Sequence, residues 1–412
     1  MAVWEFNRGE WTEAYVFLRL LGDGRIYGAS ADLVRDEQTY LDIISIIRDE
    51  PDKCLIFERF IQDEMAYVQS SMGNDILKVV TAPELTEKAT YLYDAIKSVN
   101  AGDRKIRVPE IQTYLEELSF DSPKANLSDK AKEKYGAKTD IIVTTEDSFD
   151  HVKTIGGFSI KSHIGSSPTL FNCSSTSGFI YRVVGCDEEG MHQLNHKEGF
   201  LDIISAIKQD YKLEYVGCRN ETFEQNIRIV DSRMDEILQN AILLHIGYID
   251  GLNSTGVPDM CNSLAELNPI GVGNPQVFYA AKMKAFLFAS FAGMTASTEW
   301  SGRKKLTGGY IDVDREGELL YYRAISDDIF ENYLFMHTYV DRPDRGANKS
   351  LAVAEANAHI GEGRSLTEAE RNRIIYKNGR SGTKNSKKGD FGYVYKEGDN
   401  FYIVVNFQIR FR

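Results

Sequence analysis

Cysteine is scarce in this 412-residue chain: Cys54, Cys173, Cys186, Cys218 and Cys261 are the whole complement, and no two form a CxxC pair. An odd, scattered set excludes a disulfide framework and a structural zinc site, and predicts reduced thiols in a cytoplasm. No stretch approaches eighteen uninterrupted apolar residues, which excludes a transmembrane helix. The start of the chain has no basic segment followed by an apolar one, so no signal peptide is expected. P-loop and GxGxxG motifs are both missing. The glycines of "NPIGVGNP" (268–275) lack a preceding apolar strand and a Lys-Ser/Thr pair, so they read as a turn. Positive charge is in deficit too, with 48 Lys and Arg against 61 Asp and Glu and a net charge of −13. That counts against a non-specific nucleic-acid binder, whose affinity rests on cationic surface, but not against an enzyme with a local basic cleft.

One segment reverses the charge balance. "RNRIIYKNGRSGTKNSKK", from Arg371 to Lys388, holds seven basic residues and no acid. Such a run is either a solvated loop or an arm that contacts phosphates. Against so acidic a background the arm is the sharper reading, with Lys384, Lys387 and Lys388 as its contacts.

The remaining pattern predicts an α/β or α+β protein around a mixed sheet. "NRGEWTEAYVFLRLLGDG" reads as a helix ended by Gly22 and Gly24. Residues 39–120 read as mostly helical, on the spacing of "YLDIISIIRDE" (40–50) and "ATYLYDAIKSV" (89–99). Residues 119–139 form a polar connector, and 165–178, "GSSPTLFNCSSTSG", a loop of small and hydroxylic residues. "FLDIISAIKQD" (200–210) echoes 40–50 and predicts a second, similar amphipathic helix. Residues 274–293 predict a long, largely buried helix, and "GGYIDVDREGELLYYRAI" a hairpin turning at "DREG". Tyr181, Tyr321 and Tyr322 fall on strands. A polar insertion runs from about 342 to 390, and "FGYVYKEGDNFYIVVNFQIRFR" closes the chain as another hairpin. Three regions follow: a mainly helical 1–138, a core at 139–340, and an arm with its hairpin at 341–412.

Chemistry concentrates in the middle. "TDIIV" is a β-branched strand opened by Asp140, and "GGFSIKSHIG" (156–165) is a strand whose polar face carries Ser159 and Lys161. A lysine on a strand is costly without an anion nearby. Eighteen residues between Asp140 and Ser159 fit a hairpin that sets the two strands side by side. An acid and a lysine so placed suggest a metal-dependent nuclease: the carboxylate holds a hard cation and the lysine orients the attacking water. A surface ion pair across a hairpin is the plainer alternative. Such a site usually has a second acid two residues before the lysine, where this chain has Ser159. The first helix offers a replacement. Asn7 and Glu10 have the spacing of a capping box, which gives Glu10 a structural task. Glu13 lies on one face with Phe17 and Leu20 of an almost wholly apolar helix, so its carboxylate needs a cation.

These segments together resemble the HpaII-type restriction endonucleases, a branch of the PD-(D/E)XK nuclease superfamily. The resemblance is carried, in order along nearly the whole chain, by "NRGEWTEAYVFLRLLGDGRIY", "TDIIV…GFSIKSHIGSSPTLFN", "NPQVFYAAKMKAF", "LTGGYIDVDREGEL" and the closing hairpin. It departs from the superfamily pattern at Ser159, at Thr139 in place of a proline, and in an insertion around 345–370 longer than the family leads one to expect. The resemblance implies a PD-(D/E)XK core and a type II restriction endonuclease that uses Mg2+ to cut double-stranded DNA at the palindrome CCGG. It implies Asp140 and Lys161 as catalytic, Glu13 as the helical carboxylate and, with Asp140, a metal ligand. A companion methyltransferase, a homodimer, a cytoplasmic location and no membrane association go with it. The loop after the catalytic strand offers Ser166, Ser167, Thr169 and Asn172 for phosphates or base edges, with an ordinary Ser/Thr turn as the alternative.

Other functions remain to be separated. "MHQLNH", with His192, Asn195 and His196, resembles part of an HNH-type metal site but lacks a further ligand cluster. A catalytically silent sequence-specific DNA-binding protein, or a nuclease of the same superfamily with different specificity, are the alternatives; an intact Asp140–Lys161 pair argues against the silent one.

Overall fold

The computed structural model describes residues 3–30, 32–99, 105–165, 167–172, 176–197, 199–303, 307–323, 327–341, 391–406 and 408–412. The basic arm, with Lys384, Lys387 and Lys388, lies outside the described residues, as do Ser166, Cys173 and the 342–390 insertion. In chain order the elements begin α1 (Arg8–Asp23), β1 (Arg25–Ala29), β2 (Arg35–Asp49), β3 (Cys54–Gln62), β4 (Met65–Met72) and β5 (Asp75–Thr81). Then come α2 (Ala82–Lys97), α3 (Pro109–Glu117), α4 (Asp129–Tyr135), β6 (Ile141–Asp147), β7 (Lys153–Ser162), β8 (Thr169–Phe171) and β9 (Gly178–Val184). They continue with α5 (Glu188–Asn195), α6 (Phe200–Asp210), β10 (Lys212–Cys218), α7 (Glu221–Val230), α8 (Met234–His245), α9 (Val257–Leu267) and α10 (Pro275–Phe291). The last are β11 (Gly309–Val313), β12 (Leu319–Arg323), α11 (Asp327–Met336), β13 (Thr338–Asp341), β14 (Val394–Glu397), β15 (Asn400–Asn406) and β16 (Gln408–Phe411). The protein is thus mixed α/β. No helix among the described residues is long and apolar enough to cross a membrane.

Two compact units share the chain. The first comprises Met1–Pro168, Phe291–Gly293 and Lys304–Leu334, the second Thr169–Ser290, Met294–Arg303 and Phe335–Arg412. The first is built on a mixed nine-stranded sheet in the order β1-β12-β11-β7-β6-β2-β3-β4-β5. β2 also pairs with β1, through residues 35–42, before its second half pairs with β3 through 45–49. One edge of this 15-residue strand therefore serves two partners in turn. The second unit holds a four-stranded sheet, β10-β9-β15-β14, a three-stranded one, β13-β16-β8, and helices α5 to α9 with nearly all of α10.

Helix α1 is fixed at both ends by its own sequence. Asn7 Oδ1 accepts from the backbone N–H of Glu10, and Glu10 Oε2 accepts from that of Asn7, completing the expected capping box. Gly24 ends the helix in the left-handed conformation (φ 72°), which glycine alone adopts without strain, and donates to Leu20 O. Between these caps Trp11, Ala14, Tyr15, Val16, Phe17, Leu18, Leu20 and Leu21 are buried. Phe17 meets Phe57 of β3 and Phe120 edge-on, at ring separations of 4.8 and 4.9 Å. At Gly22 α1 comes so close to α2 that a Cβ would stand 2.5 Å from Thr86 Oγ1.

Several sequence expectations need correction. Residues 39–81 are strands, not helices, so 1–138 is not mainly helical; only α1 to α4 are. "YLDIISIIRDE" is the centre of β2, whereas "FLDIISAIKQD" is helix α6, as expected. The 119–139 connector contains the short helix α4, capped by Ser128, and the 165–178 loop contains β8. The 274–293 helix and the hairpins β11–β12 and β14–β15 stand as expected, and Tyr181, Tyr321 and Tyr322 sit on strands.

Candidate functional site

The expected hairpin forms. β6 and β7 are antiparallel, with Ile141 opposite Phe158, and the N–H of Asp140 donates to Phe158 O at 2.9 Å. Asp140 therefore stands opposite Ser159, one residue outside the ladder. Ser159 Oγ donates to Asp140 Oδ2 at 3.1 Å, and the N–H of Ile160 donates to the same oxygen at 2.7 Å. Lys161 Nζ donates to Ser159 Oγ at 3.3 Å. The serine that replaces the usual acid thus bridges the acid and the lysine. Asp140 Oδ1 accepts nothing among the described residues.

Helix α1 brings Glu13 into the same field. Its Thr12 donates to Arg8 O and to Ser162 Oγ, at 2.9 and 3.2 Å, which ties the helix to β7 beside Lys161. Burial raises the pKa of Glu13 well above the usual carboxylate range, and the charge of Asp140 raises it further. Lys124, Arg48 and Lys161 oppose that rise. None of these cations takes Glu13 as a partner. Lys124 Nζ donates to Glu10 Oε1 at 2.6 Å, and Arg48 is paired at 2.6 Å with Glu50, both nearly inaccessible. The Glu13 carboxylate has no hydrogen-bond or ion-pair partner among the described residues. Glu10, in contrast, is spent on its cap and on Lys124.

Sequence reasoning missed three cations around this cluster. Lys138 has its pKa pushed down to about 8 by burial first and by Lys161 second, against the pull of Asp140. Its position two residues before Asp140 was the available signal. Lys124 and Arg48 carried none, because only the folding of β2 and the 119–128 segment onto α1 brings them near. His163, two residues past Lys161 and just beyond the end of β7, lies 3.2 Å from the buried Asp312 of β11, which also accepts from Tyr310 and Tyr333.

The other candidates fall on other segments of the chain. Ser167 is half-buried in the first unit; in the second, half-buried Thr169 opens β8 and Asn172 is exposed just beyond it. In the second unit, Asn195 exchanges two 2.8 Å hydrogen bonds with the backbone of Val394, and His196 Nδ1 lies 2.6 Å from His192 O. Asn195 thereby holds α5 to β14, while the histidine contact is local to the end of α5. Among the described residues no group of three or more His, Cys, Asp or Glu could hold a metal.

With a strand-borne acid and lysine and a helix-borne acid in one field, the class of protein can be stated: the chain belongs to the HpaII restriction endonuclease family, which it matches over residues 7–350. It is 29% identical over 415 residues to the type II restriction enzyme HpaII of Haemophilus parainfluenzae, across 98% of each chain. No solved structure matches it. The protein is a type II restriction endonuclease, a site-specific deoxyribonuclease.

Proposed function

We propose that the protein hydrolyses phosphodiester bonds of double-stranded DNA at CCGG with Mg2+, through a PD-(D/E)XK core centred on Asp140, Ser159, Lys161 and Glu13. The observation that carries this reading is the pair of unfilled carboxylate positions. Asp140 is oriented by two donors to one oxygen, which leaves the other free, and Glu13 is held beside it without a partner. A carboxylate whose proton affinity is raised by burial and by the charge of a second carboxylate suits a divalent cation, and Mg2+ takes one or two carboxylates with water and phosphate oxygens completing its shell. A bound Mg2+ would lower the pKa of water and neutralise charge on the phosphate.

The chain's own residues supply the rest. Ser159 donates to Asp140 and so fixes its rotamer, while adding no third negative charge. Lys161, held by Ser159, places its ammonium where it can orient the attacking water or meet the charge that develops on the phosphate oxygens. The water oxygen attacks phosphorus, the bond to the 3′ oxygen breaks, and that oxygen leaves with a proton. The products are a 5′ phosphate and a 3′ hydroxyl.

The four bases, and a cut that leaves 5′ extensions of CG, come from the family resemblance. A palindrome suits a two-fold dimer that presents one site to each strand. The C5-methyl position of cytosine projects into the major groove, so methylation of the inner cytosine by a companion methyltransferase should block cleavage and protect host DNA in the cytoplasm. Ser167, Thr169, Asn172 and, outside the described residues, Ser166 remain proposed DNA contacts, as does the lysine-rich arm.

The test is digestion of a mapped, unmethylated DNA in Mg2+, followed by sequencing of the fragment ends. Ends at CCGG uphold the reading. Ends at another motif refute the base preference, and intact DNA at every divalent metal concentration refutes the site.

A further inference from the structure

A cleft opens in the first unit where β2 passes from one partner to the other. β1 leaves β2 at Asp42 and β3 joins it at Ser45, and β2 is bulged against β6 between Ile43 and Ser45. The gap is a cleft of about 970 Å³. Along β6, Asp140 and the partner of Ile43, Thr145, are five residues apart, about 17 Å at ~3.3 Å per residue. The cleft is therefore distinct from the cluster at Asp140.

Its walls are unusually cationic for so acidic a chain. Arg19, Arg25, Arg35 and Arg59 face three carboxylates, those of Asp23, Asp42 and Glu318. Three of the arginines are ion-paired: Arg19 to Asp23 at 2.7 Å, Arg25 to Asp42 at 2.8 Å, and Arg35 to Glu318 at 2.8 Å. Two of them also sit over aromatic rings, Arg25 over Tyr40 and Arg35 over Tyr27, each with its Cζ 3.7 Å from the ring centroid.

Arg59 is different. Its Nε donates to Leu21 O at 3.2 Å, but its two terminal nitrogens find no acceptor, and no carboxylate stands within ion-pair distance, among the described residues. Burial lowers its pKa, and the more distant Asp42 and Asp23 compensate only partly. The Nε of Arg19, also buried, has no acceptor either. The backbone makes room for this unpaired fork: a Cβ on Gly24 would come within 2.2 Å of Arg59 Cζ. A half-buried guanidinium with its fork free, flanked by other guanidiniums, matches an oxyanion that can accept two parallel hydrogen bonds.

We propose that this cleft is a second anion site that binds a phosphate group, gripped by the Arg59 fork with Arg19 and Arg25 beside it. The phosphate belongs either to the backbone of duplex DNA outside the cleavage site or to a free nucleotide.

The test uses the full chain in low-salt buffer containing EDTA, with inorganic tripolyphosphate, dGMP and a 20-base-pair CCGG duplex as probes in calorimetric or filter-binding titrations. Arg59→Leu should weaken binding about tenfold or more to at least one probe. If the duplex is the probe affected, the slope of log K against log salt should fall by about 0.9, one phosphate contact, equally for duplexes with and without CCGG. Loss confined to tripolyphosphate and dGMP would assign the site to a nucleotide. Arg59→Leu also removes the bond to Leu21, so a second variant guards against misfolding. Asp42→Asn frees Arg25 and deletes a repelling charge, and should tighten binding of the same probe severalfold, which a merely structural role would not do. Wild-type affinity in Arg59→Leu for all three probes overturns the proposal. So does unchanged or weaker binding in Asp42→Asn.

Discussion

Replacing Glu13 with Gln should make the metal-free protein more stable while destroying its activity. The carboxylate is raised in pKa by burial first and by Asp140 second, and has no local partner among the described residues. A carboxyl whose folded pKa lies above its unfolded value contributes stability below the unfolded pKa. That contribution is lost as pH rises through the folded pKa. Wherever the pH is high enough to ionise it, the wild-type protein therefore carries a cost of about 1.4 kcal/mol for each pKa unit of elevation, and glutamine removes it. For a chain of this size each kcal/mol moves the melting temperature by roughly 2–4 °C. The gap should narrow as pH falls, because the wild-type carboxyl then protonates and comes to resemble the amide. Mg2+ supplies the complementary measurement. At one hundred times its Kd a ligand stabilises the folded state by about 2.7 kcal/mol, so Mg2+ should raise the melting temperature of the wild type and do little for Glu13→Gln. The assay is differential scanning fluorimetry across pH 5–8, with EDTA or with Mg2+, alongside plasmid cleavage. A Glu13→Gln protein that is less stable than wild type in EDTA at pH 7.5, or that cleaves normally, would refute the reasoning.

Asp140→Ala and Lys161→Ala should each abolish plasmid cleavage while leaving binding to a CCGG duplex measurable, since both residues act on the reacting groups; near-normal cleavage by either would remove it from the site. Glu10→Gln should cost about 1 kcal/mol of helix stability through the cap and the Lys124 pair, yet retain cleavage, and a loss of activity equal to that of Glu13→Gln would show that the two acids share one role. Ser159→Glu should still cleave, because it places a third carboxylate where many related sites have one; complete loss would mean that the hydroxyl bridge between Asp140 and Lys161 is itself required. Neutralising Lys384, Lys387 and Lys388 together should weaken binding to all duplexes alike and flatten its salt dependence, and an unchanged slope would assign them to a solvated loop.

The candidate site was more legible in the sequence than the fold around it, and the reason lies in range. The Asp140–Lys161 hairpin is encoded within about twenty residues, by alternation on both strands and a polar turn between them. Glu13 follows from one helix whose caps, Asn7 with Glu10 and Gly24, are local too. The cations around Glu13 were not legible, since Arg48 and Lys124 reach it only through the nine-stranded sheet and the segment after α3. Nor was the Arg59 cleft, which exists because one edge of β2 changes partner.

The two "LDIIS" segments show why local pattern failed for the sheet. In α6 the aspartate, Asp202, accepts from the N–H of Gly199 and starts the helix, and Ala206 and Lys208 continue it. In β2 the corresponding aspartate, Asp42, is drawn across to Arg25 of β1; Ile46 and Arg48 stand where α6 has Ala206 and Lys208. The β-branched residue favours a pleated surface, and Arg48 is buried against Glu50 and the ring of Phe120. A shared core of five residues thus leaves the choice open, and a capping glycine on one side and the ladders to β1 and β6 on the other decide it. The Asp42–Arg25 pair that links β2 to β1 also lines the cleft beside Arg59. Asp42→Asn therefore bears on both arguments. Tighter phosphate binding without loss of the strand would mean that the ladder to β1 and β6 alone keeps this segment extended, with the ion pair free to serve the ligand.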